Sequence, residues 1–247
     1  MKRNLNDIAR TMLATSALLL LAFGGHNSQA KAENQNPGIV PIDARHGGHT
    51  YGEWMAIEYQ WALGLPVQDN PNFGASGSLA NGQPGEVWFL PIVPLSGTPV
   101  TFSVTVPAGR ALYLMLESVE FDNYLCVSPP TDFTGDQLRQ QATSAGIEGV
   151  TVLEADVDGV PVKDPKGYAV VSPSFNITLP EINVFEVIFG CANPAGTYGP
   201  AFAAGYSLLF TPLPVGQHKI HEHVTVPAFG IDSDLTYVVT VVPDDRP

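Results

Sequence analysis

Positive charge is scarce in this chain. Eleven lysines and arginines stand against 24 aspartates and glutamates, a formal net charge of −13 over 247 residues. Such a surface repels phosphate backbones and anionic lipids, so no nucleic-acid partner and no membrane partner is expected. Cysteine is equally scarce, with Cys126 and Cys191 alone. In an oxidising compartment an isolated pair is expected to close a disulfide. Two buried free thiols are the alternative. A catalytic thiol is disfavoured, because nothing nearby in sequence would lower its pKa. Several enzyme signatures are missing as well. Gly74-Ala75-Ser76-Gly77-Ser78 is not a Gly-x-Ser-x-Gly elbow, and there is neither a phosphate-cradling P-loop nor a dinucleotide fingerprint followed by a helix. No internal repeat and no low-complexity block interrupts the chain.

What is present begins with an export signal. Lys2, Arg3 and Arg10 precede an apolar run over residues 12–23, and Ser28-Gln29-Ala30 fits a small-x-small cleavage site. The run is too short for a bilayer-spanning helix, which needs about 20 residues. Residues 1–30 therefore read as a cleaved secretory signal peptide, residues 31–50 as a polar, flexible lead-in, and residues 51–247 as a single β-rich domain. The expected destination is the periplasm or the medium.

Glycine and proline, 24 and 22 in number, are spread along the chain and punctuate short apolar segments, the pattern of many strands joined by turns. One N-terminal amphipathic helix is predicted over residues 51–65, where Trp54, Ile57, Trp61 and Leu65 recur at helical steps and Pro66 ends the run. A second short helix is predicted over 136–145, with Thr134 as its cap. Val100, Phe102, Val104 and Val106 alternate with polar residues as in a half-buried strand, and residues 111–116 are apolar throughout, as in a doubly covered one. Further strands are predicted over 86–90, 150–157, 168–179, 184–189, 206–210, 219–226 and 235–242, with Asp158-Gly159 as a tight turn. The fold class expected is mostly β, a single-domain β-sandwich or jelly roll.

Several segments carry a resemblance. They are the Trp54–Trp61 stretch ending at Pro66, Asn70-Pro71, and Gly82-Gln83-Pro84-Gly85-Glu86-Val87-Trp88-Phe89-Leu90. Val106-Pro107-Ala108-Gly109, Pro194-Ala195-Gly196-Thr197-Tyr198 and Leu213-Pro214-Val215-Gly216-Gln217-His218 join them. Together they resemble a family of uncharacterised secreted bacterial β-rich proteins. Relatives with extra cysteines carry them in the neighbourhoods where this chain has Ala80 and Ser103, so the resemblance implies that a second disulfide is absent here. The resemblance implies kinship and no activity.

Three groups of side chains could carry chemistry. On a strand, His221 and His223 share one face and could ligate a divalent transition metal, with a third ligand drawn from His46, His49, Glu117 or Asp122. A solvent-facing strand that tolerates histidine gives the same pattern. Glu222 would point to the opposite, apolar side, where desolvation raises a carboxyl pKa and suits it to proton transfer. Glu117 and Glu58 are the other candidate proton carriers. Trp54, Trp61 and Trp88 could present a stacking surface to a small molecule or glycan, or could simply dock a helix on a sheet. Acidic pairs Asp232/Asp234 and Asp156/Asp158 lack the loop of an EF-hand and read as turns. Two functions follow as expectations: a secreted binding or structural module, or a metal-assisted hydrolase or lyase built on the histidine pair.

Overall fold

The computed structural model describes residue 36 and residues 38–73, 77–83, 85–91 and 99–244. The expected signal peptide lies outside these residues. The elements in chain order are α1 (Tyr51–Gly64), β1 (Val87–Phe89), β2 (Val100–Pro107), β3 (Ala111–Phe121), α2 (Gly135–Thr143), β4 (Val152–Val157), β5 (Val160–Pro161), β6 (Ala169–Val171), β7 (Phe175–Leu179), α3 (Val184–Val187), β8 (Gly196–Phe210), β9 (Gly216–Val226) and β10 (Ile231–Val242).

The chain is mostly β, with two five-stranded sheets and few helices, as a β-sandwich requires. The first sheet runs β1-β3-β8-β6, with β7 also paired to β8; the second runs β2-β10-β9-β4-β5. Jelly-roll wiring is not seen: β1 lies parallel to β3, and β2 lies parallel to β10 along its full length, whereas a jelly roll is antiparallel. The alternation read from β9 and β10 is realised. Ile220, Glu222, Val224 and Val226 are buried, as are Leu235, Tyr237, Val239 and Val241 on the neighbouring strand.

Helix α1 starts at a capping box, in which Thr50 Oγ1 accepts from Glu53 N while Glu53 Oε2 accepts from Thr50 N at 2.7 Å. The expected single apolar stripe is too narrow a description. Met55, Glu58, Ala62 and Leu63 are buried together with Trp54 and Trp61, while Ile57 and Leu65 are only half-buried. The helix is enclosed because it packs on β6, β7 and β8 and meets the aromatic core around Phe89. Helix α2 carries a second capping box, Thr134 with Gln137, and runs into a π-turn over Ser144–Glu148.

Three local expectations need correction. Residues 184–189 contain the short helix α3, not a strand. Asn183 caps it by accepting from Glu186 N, and Ile188 N donates to Val184 O at 2.9 Å, the i to i−4 bond of a helical turn. The single strand expected over 168–179 is broken into β6 and β7. Pro173 has no N–H to give a ladder, and Ser172 Oγ accepts from Ala203 N at the break. The expected flexible lead-in is docked from residue 38: Ile39 and Val40 are buried, Val40 N donates to Leu209 O at 2.8 Å, and Tyr51 Oη donates to Val40 O at 2.6 Å.

Cys126 and Cys191 form a disulfide across 65 residues of chain, a loop length for which the chain-entropy account gives about 4 kcal/mol. It ties the segment after β3 to the segment before β8. Asn193 reinforces the tie, its Oδ1 accepting from Cys126 N at 2.8 Å.

The feature that shapes the interior is a bulge in β3. Met115 pairs with Ser207 and Glu117 with Tyr206, so Leu116 is an extra residue, and the bulge changes which side chains face inward beyond it. Gly205, opposite Ser118, makes room for it: a Cβ there would lie 2.0 Å from Glu117 O. Gly205→Ala is expected to cost at least about 2 kcal/mol, in the range for a steric clash in a packed sheet. Urea unfolding of the variant beside wild type checks it.

Candidate functional site

The site is a cavity between the sheets with carboxyl groups at its floor. It measures about 240 Å³ and is bounded by β3 from Met115 to Val119 and by the inward side chains of β9 and β10, Glu222, Leu235 and Tyr237 among them. Phe73, Phe189 and Phe229 complete its lining; Phe189 and Phe229 are exposed and mark its mouth. Phe73 and Phe189 touch edge to face at 5.5 Å.

Three carboxyl groups named from the sequence come together here from separate elements. Glu222 arrives on β9 by simple alternation between Ile220 and Val224, and is 1% exposed. Glu117 arrives through the β3 bulge, and Glu58 through the enclosed helix α1, where it is 0% exposed. Glu222 and Glu117 line the cavity, and Glu58 stands behind Glu222 within electrostatic reach. Burial pushes the Glu222 carboxyl well above its ordinary range, and Glu117 pushes it further; a hydrogen bond with Tyr237 opposes them. Burial, then Glu222, raises Glu58 in the same way. Burial alone brings Glu117 to about 7. Among the described residues, Glu222 Oε2 and both carboxyl oxygens of Glu58 have no hydrogen-bond partner.

Tyrosines that sequence reasoning missed surround these acids. Tyr237 reaches Glu222 and also donates to Pro91 O at 3.1 Å. Tyr113 donates to Tyr51 O at 3.0 Å, and Tyr59 Oη lies 2.9 Å from Ser118 Oγ. Burial drives all three phenols up, so they stay neutral donors. The inward alternation of β10 was the available signal for Tyr237; nothing local marked Tyr59 or Tyr113. Glu120, at the far end of β3, is also held neutral, first by burial and then by Asp122.

His221 and His223 lie on the other side of β9, and His218 lies near the start of the strand with the parity of Ile220 and Glu222. His221 is spanned by two carboxylates, Nδ1 to Asp156 Oδ2 and Nε2 to Asp234 Oδ1, each 3.1 Å. His223 Nε2 meets Asp232 Oδ1 at 2.9 Å, and His218 Nδ1 meets Asp158 Oδ2 at 2.9 Å. The two-histidine metal reading is therefore corrected. Both ring nitrogens of His221 are engaged by aspartate, and among the described residues no group of three or more His, Cys, Asp and Glu is arranged to hold a metal ion. Glu117 is in the cavity, Asp122 accepts from Leu125 N at 2.8 Å, and His46 and His49 pair with each other through their backbones. None of these offered third ligands adjoins the pair.

The tryptophan platform is corrected too. Trp54, Trp61 and Trp88 are 6–7% exposed and belong to the core. Trp54 Nε1 donates to His46 O and Trp61 Nε1 to Asn81 O, both at 3.0 Å. Trp88 Nε1 is buried without a partner among the described residues. No indole face is left open for stacking.

No protein-family model and no curated protein matches the chain. Two solved structures resemble it weakly. PbICP-C, solved in complex with falcipain-2, is 11% identical with a TM-score of 0.25, covering 64% of this chain and all of that one. The cysteine protease inhibitor EhICP2 from Entamoeba histolytica is 12% identical with a TM-score of 0.20, covering 58% of this chain and 94% of that one. Similarity at this level carries nothing about activity or partners. Among the described residues, no helix is long and apolar enough to cross a membrane.

Two predictions follow from the electrostatics. The folded-state pKa of Glu117 lies above its unfolded value, so the native state binds the extra proton and stability falls as pH rises from about 4.5 toward 7. Glu117→Gln should remove that loss, gaining about 3 kcal/mol at pH 8 and little at pH 4, measured by urea unfolding at both pH values. Near the start of β9, Asp158 raises the His218 pKa through their hydrogen bond, with burial opposing. Burial also opposes the lowering of Asp158, which His218 and Lys219 N outweigh. The His218 contribution is complete below about pH 6 and fades as pH rises through its raised folded pKa; the Asp158 contribution fades as pH falls below about 4. His218→Gln should therefore destabilise by no more than about 1 kcal/mol at pH 5 and by less at pH 8, read from paired thermal melts.

Proposed function

We propose that this protein is an extracytoplasmic module that binds a small organic ligand, without turnover, in the cavity between β3 and β10. The observation that carries the reading is the orphaned Oε2 of Glu222, a buried polar atom on the cavity wall. Buried polar atoms in native proteins nearly always have partners, and one without a partner is costly unless something else supplies it. A ligand group entering past Phe189 and Phe229 would do so. The apolar wall with a few convergent polar atoms is the usual make-up of such sites. The export signal and the disulfide support an extracytoplasmic setting, and the acidic surface favours neither nucleic acid nor anionic lipid. A glycan is a poorer candidate than expected from the sequence, since the indoles that would stack on it are inside the core.

One observation favours a second reading. A carboxyl at about 7, beside other neutral acids, is poised for general acid–base catalysis. Ligand recovery separates the two. Purified protein, produced by export, is mixed with a panel of cationic, neutral and anionic aromatic compounds and followed by thermal shift. Saturable binding is expected for at least one compound, weakened at least tenfold in Ser233→Leu, which fills the cavity, with the compound recovered unchanged. Conversion of the compound above blank, lost in Glu117→Gln, would replace the binding module with the acid–base enzyme. No saturable binding would sink the reading.

A further inference from the structure

We infer that the cavity selects an amphipathic organic cation, an amine carried on an apolar or aromatic body, which places its N–H donors on Glu222 and Glu117 and its body between Phe73, Phe189 and Phe229. The inference rests on the binding reading above and adds the chemical class of the ligand.

Donors and acceptors are out of balance at the floor. Glu222 and Glu117 bring acceptor oxygens, Glu58 stands behind them with two unpartnered oxygens, and none of the described residues lining the cavity is basic. Tyr237 is the neutral donor beside Glu222, and its hydroxyl hydrogen is directed to Pro91 O. A ligand that brings only acceptors would take the carboxyl protons of the neutral acids and leave their carbonyl oxygens without donors. A compact metal ion is disfavoured by the spread of the acids over β3, β9 and α1, which form no ligating group of three among the described residues. An ammonium group brings two or three N–H donors and one positive charge, and charge-assisted hydrogen bonds to carboxylate are the strong kind. The mouth suits the rest of such a molecule, because aromatic faces attract cations as well as apolar surface.

The protonation states fit the same ligand. The titratable groups facing the floor are Glu58 and Tyr59 from α1, Tyr113 and Glu117 from β3, Glu222 from β9 and Tyr237 from β10, all raised by burial. In the empty site burial favours the neutral form of all three acids and brings Glu117 to about 7. A bound cation stabilises the ionised form, so binding at pH 6 releases a proton from a carboxyl group while the amine arrives already charged. Charge balances: one positive ligand enters, one proton leaves, and the ion pair remains.

The probes are 2-phenylethylammonium, its neutral isostere 2-phenylethanol and the anion phenylacetate, titrated calorimetrically into the exported protein at pH 6 in two buffers of different ionisation enthalpy. The ammonium is expected to bind at least tenfold more tightly than the alcohol and to release about one proton, with phenylacetate weakest. Glu222→Gln and Glu117→Gln, which keep shape and volume, should lower ammonium affinity at least tenfold, reduce proton release and leave the alcohol unchanged. Alcohol binding within threefold of the ammonium would overturn the cation inference and leave the binding reading standing. Ammonium binding without proton release, unchanged in both variants, would overturn it by placing the probe elsewhere. Failure of all three probes at millimolar concentration would overturn the inference, and failure of the whole compound panel the binding reading with it.

Discussion

Desolvation of acid groups is the constraint around which this molecule is arranged. Three glutamates, Glu58, Glu117 and Glu222, sit where an ionised carboxylate costs several kcal/mol, and among the described residues no lysine or arginine shifts their acidity to offset it. Burial instead shifts them toward the neutral form, and phenols, themselves held as neutral donors by the same burial, surround them. A fold selected for stability alone would fill these positions with leucine or glutamine. Their retention inside a core otherwise made of Val, Leu, Phe and Trp is the kind of local conflict that functional sites show.

Strand β9 expresses two electrostatic regimes within one short stretch. Toward solvent, His221 and His223 each meet at least one aspartate. There the charges are screened and each pair is worth little. Toward the core, Glu222 loses nearly all contact with water and its protonation changes with it. The period of the strand is two, so adjacent residues experience different dielectrics at almost the same place in the sequence. Outer imidazoles and inner carboxyls therefore cannot act as one site. The geometry thus separates the metal-ligand pair from its supposed proton carrier, and the chemistry concentrates on the inner face.

That division was legible in part. Alternation placed Glu222 inward and His221 and His223 outward, and cysteine counting found the disulfide, because both depend on local or covalent rules. Helical periodicity ended by Pro66 gave α1, and a polar run behind the Thr134 cap gave α2. What escaped were properties decided by register between distant strands. Leu116 becomes a bulge only because Gly205 on β8 admits it, and no feature of the 111–121 stretch announces that. Asp156, Asp232 and Asp234 read as turn residues until β4 and β10 bring them beside β9. Residues 184–189 looked like a strand because Val, Phe and Ile favour strands; the cap at Asn183 and the helical bond from Ile188 N to Val184 O decided otherwise. Of the two readings offered for the indoles the docked one holds, and the sequence could not choose between them because the spacing of Trp54 and Trp61 fits a helix face without saying whether that face is covered.

The bulge also explains why the cavity and the fold are not separable. If β3 ran on without the bulge, Leu116 would pair with Tyr206 and Glu117 would fall opposite Gly205 on the other side of the sheet, and the floor would lose the acid brought to about 7. The site thus depends on a glycine on a neighbouring strand, which touches no ligand and carries no side chain. Backbone space at Gly205 sets the β3 register, register aims Glu117, and its depth in the sandwich determines that it meets a ligand as a neutral acid able to give up a proton. A site built this way can be retuned by small shifts in sheet pairing without changing a single lining residue, and that coupling links its acidity to the packing of the two sheets.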